Sequence, residues 1–289
     1  MWLRNNPYFK LLPAICVLFF LFFGGILFGF LQSIGLFSFW EDHHFTFRHY
    51  LEIFRNYDVL LSFSLSLKIS ILSTFISSAL GLFIIYLLYG LVIKNKTKFA
   101  MVMQRIIQFP MLLPYLVVAF LISISLTQSG WISRLLYQFG FIKDMIQFPI
   151  IVHDQAGMGI VLAYVWKTTP FIVFMLFPVL LQVKKEWYEV GKVFGADNKK
   201  FFWNIVLPML YKPLKISTFI VFAYTFIAFE IPYMLGVTYP RTLSVLAYEI
   251  YSKGELVERP LALALNFTMT LIIIVMSVFI FKSYRAFKK

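Results

Sequence analysis

A chain of 289 residues that is 61% hydrophobic, 20% aromatic and only 13% charged, with a mean hydropathy of +0.82, lies outside the range of water-soluble domains. Its formal net charge of +13 would suit nucleic acid, but the basic residues fall between apolar runs in the lopsided way that sets membrane topology. No nucleic-acid partner is required, and the single Cys16 excludes an intrachain disulfide.

Six apolar runs are long enough to cross a bilayer, which takes about 20 residues of helix each. They cover residues 11–31, 65–93, 106–126, 159–183, 214–237 and 261–281. The fold class is therefore all-α, a polytopic membrane protein with six transmembrane helices. A chain in lipid must satisfy its backbone within each segment, and no alternating barrel pattern is present. The first run is too long for a signal-peptide core and no small-residue cleavage site follows it, so it reads as a true span. Residues 1–64 form an N-terminal span with its outer segment, and residues 65–289 a core transmembrane domain. With both ends inside, the inner segments hold 17 basic and three acidic residues, and the outer ones nine acidic and seven basic. That asymmetry predicts a multi-pass protein of the cell membrane with both termini cytoplasmic.

The first outer segment, 32–64, carries His43, His44 and His49 beside Glu41 and Asp42. The spacing fits no closed metal site, and a solvated polar loop explains it; no metal is expected. Prolines at 110 and 114 in the third span, 170 and 178 in the fourth and 232 in the fifth each remove a backbone donor and predict kinks. Residues 127–158 mix glycine, aromatics and Pro149 and read as a re-entrant or surface-lying segment.

Lys167 and Glu230 lie inside the fourth and fifth spans at similar depth. Such residues cost about 2.5–3.5 kcal/mol each at a helix centre on insertion scales, which makes them functional candidates. With Tyr224 and Tyr233 they form a candidate substrate pathway. The expectation is that Lys167 and Glu230 pair, either as part of a gate or as a structural ion pair; the sequence does not choose. Two ionisable groups do not make the polar constellation that an enzyme needs.

The segment 184–213, between the fourth and fifth spans, is patterned. Trp187, Tyr188, Val190, Gly191 and Phe194 read as one short helix, Gly195 supplies a left-handed stop, and Asp197 or Asn198 caps a second helix through Phe201, Phe202 and Ile205. An aromatic-studded helix pair outside the lipid calls for a protein cover. Glu189-Val190-Gly191, three residues, Gly195, nine residues, then Ile205-Val206-Leu207-Pro208 resembles the signature with which permeases of binding-protein-dependent ABC importers dock on their ATPases. Val190 and Gly191 stand where that signature has two alanines, and Gly191 should weaken the helix by about 1 kcal/mol relative to alanine. Trp166 with Pro170 and Phe171, Gly195-Ala196, and Thr242-Leu243-Ser244-Val245 with Tyr248 extend the resemblance from about residue 45 onward.

The resemblance implies the type I importer permease fold and a translocating subunit, itself surrounded by membrane lipid, that works with ATPase subunits, a second permease subunit, alike or paralogous, and an extracytoplasmic solute-binding protein. Glu189, Val190, Gly191, Phe194, Gly195, Ile205, Leu207 and Pro208 then form the ATPase-coupling site, Glu189 through a polar contact that orients the docking helix. The chain has no phosphate-binding Gly-x-x-x-x-Gly-Lys-Ser/Thr loop. It is therefore not expected to be an enzyme or to hold a cofactor, ATP being bound by the partner subunit. Residues 230–236 and the Thr-Leu-Ser-Val run look like the branch that moves polyamines, phosphonates and ferric iron, so a small charged solute, polyamine foremost, is expected. The alternatives are a sugar-type ABC permease and, outside the class, a self-sufficient secondary transporter. The latter usually shows internal repeats with broken helices at matching places, and the sequence displays neither.

Overall fold

The computed structural model describes residues 7–36 and 45–286; Glu41, Asp42, His43 and His44 lie outside them. Within the described residues the chain is built from helices and turns, and six helices are long and apolar enough to cross a membrane. The helices fall into two compact units.

The first unit takes the chain up to Leu61 and again from Leu243. It contains α1 (Pro7–Ser33) and the short α2 (Arg48–Arg55), and it is completed by two C-terminal helices, residues 243–253 and 259–286. The long C-terminal helix is the common support against which the other three pack. Phe30 meets Phe267 edge to face at 5.5 Å, and the Ser33 hydroxyl and the Tyr50 hydroxyl share a hydrogen bond of 2.8 Å. Most of α1 is exposed, with Leu18, Phe20 and Leu21 about 70% accessible, as expected of a helix whose solvent is hydrocarbon.

The second unit runs from Ser62 to Thr242. It takes most of α3 (Tyr57–Ile93), then α4 (Thr97–Ile107), α5 (Phe109–Leu112), α6 (Tyr115–Leu126), α7 (Trp131–Gln138), α8 (Met158–Leu180), α9 (Lys185–Val193), α10 (Asn198–Phe201), α11 (Leu207–Ile227) and α12 (Glu230–Leu235). The unit is organised around α8, which packs against α4, α5, α6, α11 and α12. It runs as one helix through Pro170 and Pro178.

Close approach to α8 depends on small side chains. On α3, Ser66, Ser70, Ser73 and Ser77 are buried at helical spacing. The Ser77 and Thr168 hydroxyls share a hydrogen bond of 2.8 Å, and a Cβ at Gly81 would stand 2.7 Å from Cγ2 of Ile172. Small and hydroxylated residues are what helices in lipid use to approach one another, since hydrophobicity does not drive them together there.

Two spans differ from the sequence expectation. The third is not one kinked helix over 106–126. It comprises α4 and α5, an extended Leu113 (φ −78°, ψ 136°), then α6 with Pro114 as its N-cap. Proline disfavours helical backbone at the residue before it and donates no hydrogen bond, so the helix stops and restarts. The fifth likewise does not run unbroken over 214–237: α11 ends at Ile227, Ala228 has ψ 138°, and α12 begins at Glu230. The α6 and α12 segments beyond these two breaks pack against each other.

If the α3–α8 contact sets the spacing of this unit, Gly81→Leu drives a side chain into Ile172 and destabilises the protein by about 1–3 kcal/mol. A lowered thermal unfolding midpoint in detergent, with Gly90→Leu unaffected because its surroundings are open, is the expected result.

Candidate functional site: a capped helix break and a patterned loop

Carbonyls freed at the break in the third span have no water to turn to, and an unsatisfied polar group in hydrocarbon costs several kcal/mol. Lys167, buried on α8, meets that need. Its Nζ donates to Pro110 O and Met111 O at 3.1 Å each, and also to Leu113 O. Three donors and three acceptors exhaust the ammonium. Its charge also lies 4.6 Å from the centroid of the Tyr115 ring, an attraction that strengthens where water is excluded.

Lys167 and Glu230 therefore do not form the expected pair: the ammonium is spent on backbone carbonyls. Glu230 opens α12, where a carboxylate in the first turn suits the helix dipole. The carbonyl cluster reached by Lys167 was not visible in the sequence, because it arises only once the third span breaks.

Beside this cap lies a cavity of about 190 Å³ lined by Met111, Tyr115, Lys167, Thr168, Phe171 and Tyr224, among others. The Tyr115 and Tyr224 rings stack with centroids 4.6 Å apart, joining α6 to α11. Of the four residues expected on the substrate pathway, Lys167 and Tyr224 line this cavity. Glu230 and Tyr233 do not; both sit on α12, and Tyr233 packs on Phe229 at 4.8 Å.

The 184–213 loop folds as the spacing predicts. Helix α9 ends with Gly195 at φ +77°, and the Gly195 and Ala196 amides bond the carbonyls of Lys192 and Gly191, both at 2.9 Å. This paired closure uses glycine because its left-handed conformation costs nothing there. Asp197 caps α10 by accepting from the Lys200 amide at 2.7 Å.

Helix α10 passes without interruption through a π-turn, Phe202–Val206, into α11, so that one stretch of 30 residues, Asn198–Ile227, is continuous. The wide turn, with the Leu207 amide bonded to Phe202 O, gives room for Pro208, whose ring would clash with the carbonyl four residues back in a regular helix. Ile205, Leu207 and Pro208 thus lie on the helical connection itself.

Beneath the loop is an aromatic pedestal that the sequence pattern did not reveal. Tyr89 of α3, Tyr188 of α9, and Phe201 and Phe202 are buried in one cluster with Leu176 and Leu180 of α8. Tyr89 and Phe201 stack at 6.4 Å, and Tyr188 meets Phe201 edge to face at 5.3 Å. Asn198 receives both tyrosine hydroxyls, Tyr89 on its carbonyl at 3.2 Å and Tyr188 on its side-chain oxygen.

Gly191 has a role there. A Cβ at that position would lie 3.0 Å from Cδ2 of Phe201, so glycine admits the Phe201 ring and offsets its own weaker helix propensity. Glu189 bonds Lys185 one turn earlier at 3.3 Å, and both side chains are more than half exposed; such a pair contributes only about 0.3–0.5 kcal/mol.

While Tyr188 and Gly191 turn toward the pedestal, Val190 and Trp187 are exposed, and Val193 and Phe194 are each 85% accessible at the tip. The loop holds an apolar knob outward on a rigid base.

A family model, the binding-protein-dependent transport system inner membrane component, matches residues 81–289. The chain belongs to this family. Among relatives in the same family, the trehalose/maltose transport system permease protein MalF of Thermococcus litoralis is 26% identical over 72% of this chain and 70% of its own length. The molybdenum transport system permease protein ModB of Escherichia coli K12 is 27% identical over 55% of this chain and 64% of its own. A solved bacterial ABC transporter for import of the acidic polysaccharide alginate shares the fold, with a TM-score of 0.79, 18% identity, and coverage of 98% of this chain and 96% of the other. The inner-membrane family is thus shown by the sequence match, and the permease fold by the structural one.

Replacing Lys167 with methionine keeps the length but strands three carbonyls, at a cost of about 1–3 kcal/mol for each one left unpaired. Hydrogen–deuterium exchange across 111–118 should accelerate in Lys167→Met and not in Lys167→Arg. Unchanged exchange in the methionine variant would remove the capping role.

Proposed function

We propose that this chain is the permease subunit of an ATP-driven importer, and that the 184–213 loop docks on a separate ATPase through the exposed tip of α9. The observation that carries the reading is the apolar knob of Val193 and Phe194, presented on a capped helix whose glycine and proline positions match the docking signature. A large exposed apolar patch on a rigid support marks a protein interface. In this reading the loop faces the cytoplasm, in keeping with its basic excess. A solute-binding protein delivers substrate on the opposite side, and a second permease subunit completes the pathway.

The energy path follows from the backbone. Closure of the ATPases moves α9, the pedestal transfers the displacement to α10, and the continuous helix carries it along about 45 Å to Ile227. The break at Ala228 is where the fifth span can bend without disturbing an intact hydrogen-bond ladder, whereas the break at Leu113 is held to α8 by Lys167, so motion delivered along α11 appears at Ala228 as a change in the α6–α12 contact and in the adjoining cavity.

For the substrate, we favour a hydroxyl-rich or anionic solute over the polyamine first expected. Tyr115, Tyr224 and Phe171 provide faces on which a sugar ring stacks, and among the described residues that line the cavity the charged group is the Lys167 ammonium, whose field opposes a polycation. The relatives named above carry sugar and molybdenum transport in their names, which supports the sugar-type alternative.

Two measurements test this reading. Affinity purification from native membranes should recover an ATPase with the wild type and lose it in Phe194→Asp and Gly195→Asp, each still monodisperse; the Glu189→Ala variant should retain most of it, because its carboxylate contributes little to the fold. An ATPase recovered undiminished with both the knob and the glycine variants would reject docking through this loop. In vesicles reconstituted with the recovered partners, Tyr224→Ala should reduce uptake at least about tenfold while leaving ATPase recovery intact; undiminished uptake would exclude the cavity from the pathway.

A further inference from the structure

A second groove, of about 410 Å³, opens beside the π-turn. Its walls are Leu82, Phe83 and Tyr86 of α3 on one side and Phe202, Trp203 and Leu207 on the other, with Lys199 among its lining residues. Phe83 and Trp203 are each more than half exposed, so the groove is open to whatever surrounds the protein. Lys199 is the second residue of the 30-residue apolar stretch that begins at Asn198. Tyr86 lies seven residues before the end of α3 at Ile93, about 10 Å of helix rise. The groove therefore extends from the membrane end that carries the docking loop into the hydrocarbon.

We infer that this groove binds an anionic phospholipid, with an acyl chain along Phe83 and Trp203 and the phosphate on Lys199. An apolar groove facing lipid would accept any acyl chain, and the lysine makes it selective. Among the described residues no carboxylate stands within ion-pair distance of the Lys199 ammonium, so its charge is left for a ligand. A basic side chain at the polar end of an apolar channel is the complement of an anionic head group joined to a hydrocarbon tail. Tyr86, which also lines the groove, is of the residue type that suits the boundary between hydrocarbon and head group.

The π-turn gives the site its consequence. Such wide turns are departures from regular helix found frequently at functional sites, and this one supplies Phe202 and Trp203 to the groove while linking α10 to α11. A bound lipid stiffens the segment through which the proposed ATPase stroke passes. The inference of regulation rests on that docking reading, whereas lipid binding is measured on this chain alone.

The test uses the full chain in mild detergent, delipidated and then offered phosphatidylglycerol and phosphatidylcholine with identical acyl chains, with retention read by native mass spectrometry. Wild type should retain phosphatidylglycerol about fivefold over phosphatidylcholine, the ratio that one basic group near a membrane surface confers. Lys199→Ala should bring the ratio close to one, while Lys199→Arg and the neighbouring Lys200→Ala should keep it. A ratio near one in the wild type, no change in Lys199→Ala, or equal loss in Lys200→Ala, which would indicate a diffuse basic surface, overturns the site. So does efficient crosslinking of Phe83→Cys to another polypeptide in native membranes, since the groove would then be covered by protein. Retained lipid selectivity with no recovered ATPase would leave the site standing and the docking reading refuted.

Discussion

The ammonium of Lys167 is held by the carbonyls of Pro110, Met111 and Leu113, and the arrangement of the second unit depends on that contact. A transmembrane helix interrupted by proline exposes acceptors that lipid cannot satisfy, and a buried lysine carries a charge that lipid cannot solvate. Each feature is costly alone, and together they offset one another. The lysine sits on α8, against which α4, α5, α6, α11 and α12 pack, so the break is anchored to a largely buried helix. The cavity beside it, walled by Tyr115 and Tyr224, exists because the third span bends away there.

The 184–213 loop is organised by a different balance. Its first helix, α9, is too short to be stable alone, and the i,i+4 pair of Lys185 with Glu189 adds little in water. Rigidity comes from below, where Tyr89, Tyr188, Phe201 and Phe202 are buried and both tyrosine hydroxyls converge on Asn198. With Gly191 admitting the Phe201 ring, the apolar tip is held outward instead of folding back onto the membrane surface. A continuous helix from Asn198 to Ile227 then joins the base of the loop to the fifth span without a break, in contrast to the third span, whose break is stitched to α8.

Much of this was legible in the residues. Six apolar runs, the capping pattern from Gly195 to Asp197 and the spacing from Glu189 to Pro208 are local properties, and the number of spans and the helices of the 184–213 loop follow them, whereas the third and fifth spans are broken. The proline positions announced disturbance without its kind: Pro114 breaks a helix, whereas Pro170 and Pro178 are carried within one. Which outcome occurs depends on whether neighbouring helices supply partners for the freed groups, and that is not a local property. The same limit explains Lys167, whose charge called for a partner of opposite sign; Glu230 stood at the right depth, yet the partner is a set of carbonyls created by the break.

Taken alone, then, the sequence determined the solvent of the chain, the number of spans, and the position and caps of the helices in the 184–213 loop, because hydropathy and helix stop signals act over a few residues at a time. Tertiary structure decided where spans break, what Lys167 neutralises, why position 191 admits only a glycine-sized residue without shifting Phe201, and that an apolar groove ending in Lys199 opens beside a π-turn. These follow from which helices lie against one another, and in a membrane that choice is made by close packing and by the satisfaction of buried polar groups, contacts between residues far apart along the chain.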